Sequence, residues 1–147
     1  MGAHPFWYTV KYDPDTNAAL QQLRQREFRA GRYNPVMPFP DFPVTPMSPA
    51  PGAQHSSIEE AMEDSDADGT RSILDIMRVG FEPDFCTAVP LADDVLLALY
   101  GTTRPTRPAV EANMDFLEDI ERGQAVYVTL YRDDKPHELL FVGYSFD

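Results

Sequence analysis

Proline is the residue that most restricts how this chain can fold, because seven of its fourteen prolines fall between residues 35 and 51. A proline fixes its φ angle and has no amide hydrogen, so neither a regular helix nor a central strand can run through this segment. Phe39 and Phe42 predict that part of the segment packs on the rest of the protein. We therefore expect a proline-rich loop at residues 34–53, within a single domain that covers residues 1–147.

The two ends of the chain have the composition of β-strands. Residues 6–12 are rich in aromatic and β-branched side chains, and so are residues 125–132 and 138–146, which a short polar turn joins into a hairpin. The first strand is expected beside this hairpin. Because helix patterns occupy much of the chain between these strands, the predicted fold class is α+β. It has a mainly antiparallel sheet of three to five strands, with three or four helices packed on it.

Two longer helices are predicted between the terminal strands. Residues 14–30 follow Asp13, a residue that suits the N-cap, and end before Gly31. Residues 109–122 carry apolar side chains on one helical face and end before Gly123. We expect the apolar faces of both helices, together with the aromatic residues of the terminal strands, to form the core.

Residues 71–79 have an apolar composition that fits either a strand or a helix. Gly69 precedes the segment, Gly80 follows it, and isoleucine and valine are prominent within it. These features favour a strand over a helix.

Charge is distributed unevenly along the chain. The net charge is −12 at pH 7, and residues 54–147 alone carry −13. A nucleic-acid-binding protein needs a basic surface, which this composition does not provide. No apolar run approaches the ~20 residues of a membrane span, and no secretory signal begins the chain. A single cysteine, Cys86, excludes an internal disulfide. We therefore expect a soluble cytoplasmic protein. Pairing with acids of the later segment is one use that the sequence leaves open for the basic first helix.

The surplus of carboxylates favours a small binding or regulatory protein, similar in kind to immunity proteins or antitoxins, that engages a basic protein partner. Acidic residues cluster on the predicted helix 109–122 and on a shorter helix that begins at Ser56 or Ser57. The predicted partner-binding residues are Glu111, Asp115, Glu118 and Asp119, followed by Glu59, Glu60 and Glu63.

Residues 64–75 resemble the calcium loop of an EF-hand, because carboxylates alternate around a glycine with the spacing DxDxDG and a further carboxylate stands at position 12. Two departures are clear: position 12 is usually the longer Glu, and Arg71 occupies a position that is usually apolar. A calcium-binding domain is therefore an alternative function, with Ca²⁺ as the cofactor. The residues that the resemblance assigns as ligands are Asp64, Asp66, Asp68, Thr70, Ser72 and Asp75.

A small enzyme of unknown class is the remaining alternative. His4, His55 and His137 form no spaced metal-binding pair, and the sequence contains none of the common nucleotide-binding or hydrolase motifs. Glu27 lies on the apolar face of the first helix, where it could be a general acid or the partner of an arginine. The arginine pair is favoured, because buried acids are normally paired. We therefore predict no catalytic residue.

Overall fold

The computed structural model describes residues 3–147. Within them lie a five-stranded mixed sheet and four α-helices, which is an α+β fold. The strands are β1 (Pro5–Lys11), β2 (Arg78–Val79), β3 (Thr87–Pro90), β4 (Ala125–Arg132) and β5 (Lys135–Tyr144). The helices are α1 (Thr16–Ala30), α2 (Ile58–Ser65), α3 (Asp93–Tyr100) and α4 (Arg107–Ala112), with 3-10 helices at Asp66–Asp68, Ile73–Asp75 and Asp115–Asp119.

The strands are ordered β1-β5-β4-β3-β2 across the sheet. β1 pairs antiparallel with β5, and Tyr8 lies opposite Phe141, which confirms the predicted position of the first strand beside the hairpin. The predicted antiparallel pairing holds for β1, β5 and β4, but the sheet as a whole is mixed, because β3 runs parallel to both β4 and β2. The chain between β3 and β4 forms α3, α4 and a 3-10 helix, and this long crossover lets the two strands run in the same direction.

Apolar side chains pack on both faces of the sheet. Successive residues of β5 alternate between the faces, so Leu139 and Phe141 contact the cluster that contains α1 and α2. Leu140 and Val142 belong to a second cluster, which includes side chains of α3, α4 and the 3-10 helix that follows them. The helices therefore form two layers, and the sheet separates two parts of the core.

Helix α1 begins and ends through specific backbone contacts. Its N-cap is Asp15, whose carboxylate accepts a hydrogen bond from the Ala18 amide at 3.0 Å, so the predicted cap at Asp13 is wrong by two residues. Gly31 ends the helix with a φ angle of +76°, as predicted. A Cβ atom at Gly31 would lie 2.2 Å from the carbonyl oxygen of Gly52, so only glycine fits there.

Residues 71–79 are mostly not a strand, because only Arg78–Val79 pair with the sheet. Arg71 has a φ angle of +51°, which interrupts an extended backbone. The Ser72 hydroxyl then accepts a hydrogen bond from the Leu74 amide and caps a 3-10 helix. Local hydrogen bonding by a serine side chain thus overrides the strand preference of the isoleucine and valine residues.

The predicted helix 109–122 is divided into two shorter pieces. It begins earlier than predicted, since the Thr106 hydroxyl caps α4, and it breaks at Asn113, whose φ angle is −149°. The Asn113 side chain accepts a hydrogen bond from the Asp115 amide at 3.1 Å, and this contact starts the 3-10 helix. The side chains of residues 109–122 therefore do not share one helical face.

Candidate functional site

The acidic residues predicted to contact a partner all have exposed side chains. They form two groups, one on α2 and one on α4 and the 3-10 helix after it. Because α2 and α4 cover opposite faces of the sheet, a flat partner surface cannot contact both groups at once. The α2 group is Glu59, Glu60 and Glu63, and the second group is Glu111, Asp115, Glu118 and Asp119.

Most of these carboxylates form no ion pair among the described residues. Within residues 3–147, Glu111 is the one member of the two groups that forms an ion pair, at 3.4 Å from Arg107 Nε. Among the described residues, no arginine of the first helix forms an ion pair with an acid of the later segment. The Arg24 guanidinium instead donates a hydrogen bond to the carbonyl oxygen of Leu74 at 2.8 Å.

Glu27 uses two of the arginines at the end of α1. Its side chain is fully buried, and Arg32 donates from Nε and Nη2 to its two oxygens at 2.8 Å each. Arg26 Nε donates to the same carboxylate at 2.8 Å. The favoured prediction of a structural arginine pair is confirmed, and both oxygens of Glu27 are occupied by guanidinium groups.

Two exposed aromatic residues lie on the loop between β2 and β3. The side chain of Phe81 is 92% exposed and that of Phe85 is 60% exposed. Phe85 borders a cleft of about 530 Å³, whose other apolar walls are Leu117 and Ile120. Sequence analysis did not single out this loop, although two phenylalanines that flank acids and a proline were a usable signal.

Carboxylates lie beside the same cleft. Glu118 and Glu121 line it and have exposed side chains, and the exposed Arg122 lines it as well. We call this surface the aromatic–acidic surface and define it as Phe85, Leu117, Glu118, Ile120 and Glu121. Glu118 was predicted from the sequence, whereas Glu121 was not singled out.

Backbone hydrogen bonds hold Phe85 in place on this surface. The amide of the next residue, Cys86, donates to the carbonyl oxygen of Gly123 at 2.7 Å, and the Gly123 amide donates to Tyr144 at 3.0 Å. The rings of Phe85 and Phe146 are 6.2 Å apart. The base of the β2–β3 loop is therefore fixed to the end of β5.

The EF-hand-like segment is split between different environments. Asp64 is part of α2, and its carboxylate lies 2.9 Å from Nε2 of His55. Asp75 is buried and accepts hydrogen bonds from the amide and the hydroxyl of Thr70, and Ser72 contacts the same hydroxyl at 2.8 Å. In the part of the chain that the structure describes, no three His, Cys, Asp or Glu side chains are grouped to hold a metal ion. Calcium binding stays a prediction.

Burial raises the pKa of Asp75 to about 6. The hydrogen bonds from Thr70 and the charge of Arg24 act in the opposite direction and are outweighed. Asp75 is 1% exposed, and within residues 3–147 no base forms an ion pair with it. It therefore differs from Glu27, although both carboxylates are buried on the α1 face of the sheet.

His55 forms a hydrogen-bonded chain that sequence analysis did not predict. Its Nδ1 lies 2.8 Å from the Tyr33 hydroxyl, which also accepts a hydrogen bond from the Gln54 amide. With Nε2 facing Asp64, both ring nitrogens have protein partners. The contacts tie the chain before α2 to Tyr33 and leave neither nitrogen available to a substrate.

No protein-family model, curated protein or solved structure matches this chain. Among residues 3–147, no helix has the length and the apolar character that a membrane crossing requires.

Proposed function

We propose that this protein is a small regulatory binding domain that docks a basic protein partner on the aromatic–acidic surface. The observation that carries the proposal is the exposure of Phe85 beside a cleft that the exposed carboxylates Glu118 and Glu121 also line. Exposed aromatic side chains are typical anchors of protein interfaces, where a few residues supply most of the binding free energy.

A basic side chain of a partner would satisfy both parts of this surface. The aliphatic stem of an arginine can pack against Phe85 and Leu117, because long basic side chains bury their methylene groups while the charge stays hydrated. Its guanidinium group can then reach Glu118 and form a paired hydrogen bond. An anionic nucleic acid would instead be repelled by the net charge of −12.

The acids of α2 have a different role in this proposal. Glu59, Glu60 and Glu63 lie on the opposite layer, so they increase the negative field without contacting the partner. The proposal places the protein in the cytoplasm, where its single cysteine, Cys86, remains reduced. A basic enzyme that this domain inhibits, as an immunity protein or antitoxin would, is the kind of partner proposed.

The experiment compares matched variants in capture from native lysate at low and high salt. Phe85→Ala removes an anchor that is 60% exposed, and Phe39→Ala is its control because Phe39 is 59% exposed and does not line this cleft. Glu118→Lys and Glu63→Lys make the same charge change on opposite layers. A partner lost with Phe85→Ala and Glu118→Lys, but retained with both controls, supports the proposal. A partner retained by all four variants contradicts it.

A further inference from the structure

The outer edge of β1 carries backbone groups without partners. β1 pairs only with β5, and hydrogen bonds from the Tyr12 amide to His137 and from the Ser145 amide to His4 fix which residues face that strand. Because hydrogen-bonded pairs alternate in an antiparallel ladder, the amides and carbonyls of Trp7 and Thr9 face away from β5. Nothing within residues 3–147 forms a hydrogen bond with them.

A cleft of about 600 Å³ lies along this edge. Trp7 and Thr9 line its floor, and Arg26 and Arg32 line one side. Met114 lines the other side, together with the ion pair of Arg107 and Glu111. A smaller cleft of about 230 Å³ continues along Val10 and Lys11 and shares Arg26 with the first. We call the two together the β1-edge groove, defined by Trp7, Thr9, Lys11, Arg26, Arg32 and Met114.

The proline-rich segment forms one wall of the groove without closing it. The Phe42 ring lies 5.6 Å from the Trp7 ring and 5.1 Å from the Tyr8 ring, so the segment leans across the edge. Pro43 and Pro46 line the groove and have no amide hydrogen to donate to β1. This wall obstructs a second sheet, as proline does at many sheet edges, but leaves room for one extended chain.

Arg26 gives the groove a free cationic end. Its Nε is bound to Glu27, while its two terminal nitrogens have no hydrogen-bond partner among the described residues. The side chain is 46% exposed and lines both clefts. A carboxylate in the groove would therefore find unused donors in the fork geometry that arginine presents.

We propose that the β1-edge groove binds an extended peptide segment of a partner protein, which adds a strand to β1 and places one acidic side chain at Arg26. Backbone hydrogen bonds to Trp7 and Thr9 supply affinity, as in other cases of strand addition, and alternate side chains pack against Trp7 and Met114. A single acidic residue in an otherwise apolar peptide suits the site, because a run of acids would be repelled by the net charge of −12.

The first experiment selects peptides from a displayed library of random decapeptides against the full chain. The best peptide is synthesised and its Kd is measured by fluorescence anisotropy with wild type, Arg26→Gln and the control Arg29→Gln, an exposed arginine of the same helix outside the groove. We expect extended sequences with one acid and about tenfold weaker binding to Arg26→Gln alone. No selected peptide, or equal Kd values for all three proteins, overturns the proposal.

The second experiment tests strand addition directly. Thr9→Pro removes the outward amide, whereas Thr9→Val keeps it, so only the proline variant should lose peptide binding. N-methylation of alternate peptide residues makes the reciprocal test on wild type, which remains informative if Thr9→Pro unfolds. Binding that survives N-methylation in both alternating patterns overturns the proposal. A dimer in sedimentation experiments that Thr9→Pro dissociates also overturns it, in favour of a second copy of this chain.

Discussion

The two faces of the sheet use their charged residues in opposite ways. On the α1 face, Glu27 is buried and bound by Arg26 and Arg32. On the face covered by α3 and α4, Glu118 and Glu121 are exposed beside an apolar cleft. The net charge of a chain therefore does not predict which part of its surface has a negative electrostatic potential. Arginines that are bound internally on one face cannot compensate carboxylates on the other.

The prediction with the largest expected effect concerns Glu27 and the two arginines that bind it, Arg26 and Arg32, on the α1 face. Glu27→Gln keeps the side-chain shape but removes the charge, so the half-buried Arg32 loses its anionic partner. We expect the free energy of unfolding to fall by about 3 kcal/mol, the cost of breaking a buried pair. Urea denaturation measures it, with Glu111→Gln as the control, since its exposed pair should contribute less than about 0.5 kcal/mol. Equal losses in both variants would contradict the contrast between the faces.

A second prediction tests how the aromatic–acidic surface is anchored. Gly123 and Gly101 have φ angles of +74° and +72°, but a Cβ atom at Gly123 would lie 2.8 Å from the Phe85 ring and 2.5 Å from that of Phe146. At Gly101 nothing lies within 4 Å. We expect Gly101→Ala to cost about 1 kcal/mol from backbone strain, and Gly123→Ala to cost about 2 kcal/mol because rings must also move.

Thermal or urea unfolding of the two alanine variants separates these contributions. Equal losses would mean that Phe85 is not held against Gly123 as described. We also expect Gly123→Ala to weaken partner binding, since the Phe85 anchor is displaced, while Gly101→Ala leaves binding unchanged.

A third prediction concerns the second buried carboxylate of the α1 face. Because the pKa of Asp75 is about 6 when folded and lower when unfolded, the folded state binds its proton more tightly. The contribution of this group to the free energy of unfolding therefore rises as the pH falls through 6, by about 1 kcal/mol between pH 7 and pH 5. Asp75→Asn should lack this gain. Parallel pH profiles of wild type and variant would contradict it.

The sequence predicts the elements whose signals are local and mutually consistent. The terminal strands and the end of α1 at Gly31 were predicted correctly because aromatic composition and a C-terminal glycine act within a few residues. The pairing of Glu27 with arginine was predicted from the free-energy cost of burying an unpaired charge. This cost requires a partner wherever in the sequence that partner lies.

Other features depend on contacts that cannot be predicted from the local sequence. Asn113 and Ser72 divide predicted elements through side-chain hydrogen bonds to the backbone, and either residue could also have pointed to solvent. The parallel strands depend on where a long crossover returns the chain. The separation of the acids into two layers follows from that topology, so no pattern in residues 54–147 could predict it.

The prediction with the smallest expected effect concerns the EF-hand-like residues 64–75. This acidic segment contains both exposed and buried carboxylates. If residues 64–75 bind calcium as their spacing predicts, calcium at its Kd should stabilise the protein by only about 0.4 kcal/mol. Thermal melting with calcium, with magnesium and with chelator measures this gain. Asp68→Asn should abolish it, while Asp84→Asn, which removes an exposed acid outside the segment, should preserve it. Asp64 would have to leave His55, and Asp75 would have to leave Thr70, for both to become ligands. Identical melting in calcium and chelator would therefore contradict calcium binding by residues 64–75, and would agree with Asp64 and Asp75 keeping these contacts.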